Sequence, residues 1–154
     1  MRKYIISLIL LVFVLTSVVY AQGPVSDFKY PWKKNVNVLK NFLNANFKLS
    51  NGQSWTLVKE HEGTYTACYK SGSSQICMPK LFFFQKGLLV GYYAKYPPEK
   101  LDALKAQALR DYGKRRAYVE SLSYMAEYYD KGALQFELEY FKPKAVIQIQ
   151  VKTK

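Results

Sequence analysis

The sequence predicts an α+β fold: a curved antiparallel sheet, made of a four-strand meander, a helix and three further strands, packed on one or two helices. Three observations carry that expectation. Apolar and polar residues alternate over residues 54–96 and again beyond residue 117, the period of half-buried strands. Short glycine-bearing turns break both runs at hairpin spacing. Two other segments, 35–47 and 97–113, repeat their apolar residues at helical spacing.

Ahead of the fold stands MRKYIISLILLVFVLTSVVYAQG. Arg2 and Lys3 form a positive end. An apolar run from Ile5 to Leu15 follows, broken only by Ser7, and Val19-Tyr20-Ala21 has the pattern of a cleavage site. The run is shorter than the roughly 20 residues that span a bilayer, so residues 1–21 read as a signal peptide rather than an anchor. No cysteine follows it directly, which argues against a bacterial lipid anchor. The mature chain then begins at Gln22. Residues 22–34 read as an extended N-terminal arm and 35–154 as a single α+β domain.

The first helix places Val36, Leu39 and Leu43 on one side, with Val38 and Phe42 beside them; its asparagines lower its propensity. The meander follows. A three-residue turn at His61-Glu62-Gly63 sets Trp55 opposite Tyr69 and Leu57 opposite Ala67. A turn at Gly72-Ser73 sets Tyr69 opposite Ile76 and Cys68 opposite Cys77. A turn at Lys86-Gly87 pairs Phe84 with Leu89, Phe83 with Val90 and Phe82 with Gly91. Pro79 suits a bulge. One face then carries Trp55, Leu57, Tyr65, Tyr69, Ile76, Met78, Phe82, Phe84, Leu89 and Tyr93.

Pro97-Pro98-Glu99 opens the second helix, Leu101, Leu104, Ala108 and Tyr112 line its inner side, and Gly113 stops it. This helix is expected to cover the face that holds Trp55, Phe82, Phe84 and Leu89. In the last hairpin, a three-residue loop at Asp130-Lys131-Gly132 pairs Tyr128 with Leu134, Ala126 with Phe136 and Tyr124 with Leu138. That register leaves Glu137 and Glu139 on the wet side. Ala145, Ile147, Ile149 and Val151 alternate in a final strand, and no internal repeat is visible.

Export makes a disulfide the expected state of Cys68 and Cys77. Their hairpin pair is of the non-hydrogen-bonded kind, with Cα atoms about 4.5 Å apart, at the short end of the bridging range. A redox site reads C-x-x-C, and a zinc site needs more ligands than these two and His61. No cofactor or metal is implied.

The formal charge is +12, and +10 once the leader is removed. Fourteen tyrosines and nine phenylalanines supply a core, so the charge does not signal disorder. It attracts anions instead. Lys114, Arg115 and Arg116 form one candidate cluster, although cations there also suit the helix terminus. Adjacent strand residues point to opposite faces, and the predicted registers send Tyr92 and Tyr129 outward as a candidate stacking platform. His61 stands between two glutamates in a turn, and the chain contains no G-x-S-x-G, H-E-x-x-H or P-loop pattern. These features point to a non-catalytic periplasmic or secreted binding module. Its partner would be an anionic lipid, a glycan or an acidic protein; export disfavours nucleic acid. A small secreted hydrolase with a site invisible in the sequence is the alternative.

The exported protein should have the intact mass of Gln22–Lys154, and its two thiols should alkylate only after reduction. Alkylation without reductant would exclude the disulfide.

Overall fold

A computed structural model describes residues 26–50 and 52–154. The segment read as a signal peptide, residues 1–21, lies outside the described residues, as do residues 22–25 and Asn51.

Turn chemistry fixes most hairpins. Gly72-Ser73 and Lys86-Gly87 form two-residue turns, closing Ser71 on Ser74 and Gln85 on Leu88. Lys86 and Gly87 both hold positive φ, 51° and 74°, as a primed hairpin turn requires. Asn35 caps the first helix, α1 (Val36–Asn46), through its Oδ1, which accepts from the Val38 amide at 3.2 Å. The second, α2 (Leu101–Tyr112), starts from a short 3-10 turn at Pro98–Lys100 and ends at Gly113, where φ is 81°.

The strands are β1 (Thr56–His61), β2 (Thr64–Ser71), β3 (Ser74–Gln85), β4 (Leu88–Tyr96), β5 (Ala117–Glu120), β6 (Tyr124–Lys131), β7 (Leu134–Phe141) and β8 (Val146–Thr153). They form one eight-stranded sheet in the order β1-β2-β3-β4-β8-β7-β6-β5, antiparallel throughout. The second group therefore has four strands rather than the expected three, because Ala117–Glu120 pairs separately with β6. A helix followed by a four-strand meander occurs twice, and the two meanders join through their last strands, β4 and β8. The architecture repeats although the sequence does not.

At the join, Gly91 lies opposite Lys152, and a Cβ on it would come within 2.8 Å of the Val151 carbonyl oxygen. Glycine is what lets these two strands approach.

Three departures from the expected registers matter. In β1, a bulge beside Glu60 shortens the turn to Glu62-Gly63 but leaves Leu57 opposite Ala67 as expected. In β4, Phe83 pairs with Gly91 while Phe84 pairs with Leu89, so Val90 is an extra residue. The bulge changes the face of everything after it: Phe82 now faces Tyr92, and both are buried. In the last hairpin the turn is Gly132-Ala133, which pairs Lys131 with Leu134 and Tyr129 with Phe136. That shift also exchanges faces. The inward set becomes Met125, Glu127 and Tyr129. The expected register had kept Glu127 out of the core.

Both helices contribute to a single core with the sheet. Leu39 and Leu43 of α1 join Leu104, Ala108 and Tyr112 of α2 over Phe82, Leu89, Tyr92, Phe136, Leu138, Ile149 and Val151. Over the first meander the nearest helix is α1, against β1 and β4, rather than the expected α2, which lies against β6 and β7.

Phe82 is fully buried, while Phe84 is only partly covered. Phe82→Ala should destabilise by about 3–5 kcal/mol and Phe84→Ala by under about 2 kcal/mol in denaturant melts. The reverse ranking would contradict the face assignment.

Candidate functional site

The segment before α1 builds a polar cluster inside the core. A 3-10 turn at Asp27–Lys29 puts Asp27 at 1% exposure. Its backbone oxygen accepts from the Trp32 indole at 2.7 Å. Its carboxylate accepts from the Tyr92 hydroxyl on β4 and from the Tyr112 hydroxyl on α2, the latter at 3.0 Å. One side chain thus ties the chain's amino-terminal segment to both meander units. The backbone completes the attachment: Lys33 N donates to Leu89 O, and Leu89 N donates to Lys34 O, both at 2.9 Å.

Lys80 adds the cation. It follows the bulge at Pro79, where the β2–β3 register shifts as the sequence anticipates. Its Nζ donates to the Tyr30 hydroxyl at 2.9 Å and sits 4.3 Å from the centre of the Tyr92 ring. Burial alone would lower the Lys80 pKa, but Tyr30, Tyr96 and Asp27 outweigh it and hold the ammonium above its ordinary range. Burial raises Asp27, opposed by Lys80 and the two tyrosine hydrogen bonds. Burial and then the Asp27 charge raise Tyr112.

A second buried acid lies on β6. Glu127, 3% exposed, takes Arg115 at 2.7 Å and Lys105 at 3.6 Å, and accepts from the Tyr129 hydroxyl at 2.6 Å. Without these partners an ionised carboxylate here would carry a large desolvation cost.

The candidate residues read from the sequence are distributed as follows. Cys68 and Cys77 form the expected disulfide, in the expected register, with Cα atoms 4.0 Å apart. Tyr92 and Tyr129 are each 1% exposed and lie in the core, so neither ring is available as a surface platform. The bulge and the hairpin shift are the reasons. Arg115 is committed to Glu127 and Arg116 to Asp130, which leaves Lys114 as the member of that cluster without an ion pair among the described residues. His61 is exposed at the end of β1, with no side-chain hydrogen bond among the described residues. No three His, Cys, Asp or Glu side chains come together there as a metal site. No helix among the described residues is long and apolar enough to cross a membrane.

Two surface features stand out once these are removed. At one end of the sheet lie the turns Glu62-Gly63, Lys86-Gly87 and Gly132-Ala133, the attachment at Leu89 and the end of β8. Lys33, Lys34, Lys86, Lys114, Lys131, Lys152 and Lys154 gather there, all exposed. Asp130 at that end is paired to Arg116 and Lys154, and Glu62 stands exposed in the first of the turns. The other feature is the sheet face opposite the helices, which register alone assigns: Leu81, Tyr93, Gln150, Glu137 and Tyr128 form one row across it.

No known protein family, curated protein or solved structure matches the chain.

Asp27 has its carboxyl pKa raised from 3.8, so the stability it supplies is present in full at acid pH and is lost as pH rises through the folded value. Asp27→Asn stays neutral throughout. The stability gap between wild type and Asp27→Asn should therefore narrow as pH rises above about 4, the ordinary aspartate value, measured by denaturant melts. A gap that widens with pH would show that the cluster is built for the ionised carboxylate.

Proposed function

We propose that the chain is an exported, non-catalytic binding module that holds an anionic envelope surface, lipid headgroups or an acidic glycan, against the basic end of its sheet. The gathering of exposed lysines at that end carries the reading. From Lys86 beside β3 and β4 to Lys131 at β6 the strand order spans four spacings, about 19 Å. Cations spread over that width suit an extended anionic surface better than a single small ligand. The disulfide is compatible with an exported protein. An exposed, unpartnered His61 offers nothing to the hydrolase alternative.

The test is co-sedimentation with phosphatidylglycerol-containing vesicles against neutral phosphatidylcholine vesicles, at low and high salt. Each lysine near an anionic surface contributes about 1 kcal/mol. Reversing Lys33, Lys34 and Lys86 together to glutamate should therefore weaken binding more than about hundredfold. Reversing Lys70 and Lys144, exposed at the opposite end of the sheet, should change it less. Binding to neutral vesicles, or binding insensitive to salt and to the triple reversal, would overturn the reading. Retention by acidic proteins alone would replace the surface with a protein partner.

A further inference from the structure

Glu60, Glu62, Glu99 and Asp102 take no ion pair among the described residues but are exposed, whereas two further acids without one are half-buried in the sheet. Asp111, Glu120, Glu127 and Asp130 each take an ion pair. Glu137 and Glu139, half-buried on β7, take none among the described residues. They share the helix-free face and stand two residues apart on one strand, about 7 Å. Two like charges at that spacing repel each other when no cation lies between them.

Tyrosines surround the pair. Glu137 lies opposite Tyr128 on β6 and opposite Gln150 on β8, beyond which comes Tyr93 on β4. Glu139 accepts a hydrogen bond from the Tyr124 hydroxyl. Its charge is felt at both flanks: burial first, and then Glu139, raises the hydroxyl pKa of Tyr93 and of Tyr124. Opposite Glu139 stands Ala126, which is fully buried although it belongs to the helix-free face. Own-chain cations reach these rings only at the limit of cation–π range, about 6 Å. Arg116 lies 5.8 Å from the Tyr128 ring and Lys95 6.0 Å from that of Tyr93.

We propose that this tyrosine-flanked carboxylate pair is a docking site for a basic side chain, arginine above all, presented by a partner protein. A guanidinium bonds carboxylates through a planar fork and stacks on aromatic rings, so it uses both elements of the site at once. The charge complementarity is local. It runs against the sign of the whole molecule, which otherwise repels cations. The site lies on the sheet face, separate from the basic end, and does not depend on that end's anionic partner.

The probe is an amidated tetra-arginine peptide, titrated into the 15N-labelled protein at about 150 mM salt so that long-range repulsion is screened. Saturable shifts should map to β4, β6, β7 and β8. The double variant Glu137→Gln/Glu139→Gln should weaken binding about tenfold or more, since it removes both charge-assisted partners. Glu99→Gln/Asp102→Asn, which changes net charge equally at exposed positions around the start of α2, should leave it unchanged. Tyr93→Phe should bind as wild type and Tyr93→Ala about fivefold more weakly, because the ring rather than the hydroxyl holds the cation. The tyrosine pair decides the matter if the double glutamine variant fails to fold. Equal affinity in wild type and the double variant, or equal losses in the double variant and its charge control, would overturn the proposal. So would concentration-dependent shifts in the absence of peptide, which would assign the face to a second copy. The same shifts produced by a neutral hexasaccharide would assign it to a glycan.

Discussion

One extra residue in β4 decides which half of the Tyr92-Tyr93 doublet meets the helices. Val90 has no partner in the β3 ladder, so the pleat changes phase between Leu89 and Gly91. Leu89 and Tyr92 both point into the core as a result. With an unbroken ladder Tyr93 would point inward and Tyr92 outward. Asp27 would then lose its acceptor contact with β4, and the helix-free face would lose the ring that stands across Gln150 from Glu137. The bulge sits next to Gly91, where β4 and β8 need the room that a missing side chain leaves. Interior cluster, seam and outer face all follow from that one irregularity.

The interior is more polar than an aromatic-rich α+β core needs to be. Asp27 and Glu127 both bond partners on or just after α2, Tyr112 for the first and Lys105 and Arg115 for the second, and each is satisfied by groups from more than one element. Such groups are weak contributors to net stability, because desolvation cancels much of the attraction. They are strong determinants of arrangement, because a displaced partner leaves a buried charge uncompensated. Asp27 bonds Tyr92 from the first helix–meander unit and Tyr112 from the second, so it fixes how the two units meet. The Cys68–Cys77 disulfide acts only within the first unit, across one hairpin. It constrains a short loop, for which the entropic gain is modest.

The molecule sorts its surface charge. Lysines collect at one end of the sheet, while the middle of the helix-free face keeps a pair of carboxylates among tyrosines. This separation lets one small domain present opposite charges in different directions. It also accounts for the committed state of Arg115 and Arg116. Those residues neutralise Glu127 and Asp130 and are structural counter-ions before they are anything else.

Short-range chemistry was legible in the sequence. Gly72-Ser73 and Lys86-Gly87 dictated their turns, and the first of these alone set Cys68 opposite Cys77. The inner side of α2, the alternation in β8 and the two-residue period of the strands were equally readable, since each rests on neighbours within a few positions. Both tyrosine doublets were assigned to the wrong faces, Tyr92 because nothing in the composition marks Val90 as an extra residue and Tyr129 because a three-residue loop at Asp130-Lys131-Gly132 set the wrong register; the observed one buries Glu127. The carboxylate is tolerated only because Arg115 and Lys105 arrive from elsewhere in the chain. The short β5 went unseen for a related reason: its residues are exposed and its partner alone defines it. By itself the sequence determined the charge, the disulfide, two of the turns and an antiparallel α+β class. Which face each strand buries, which helix covers which meander and which acids stand unpaired were decided only in the tertiary structure, because a pleat has two sides and the choice between them depends on distant partners.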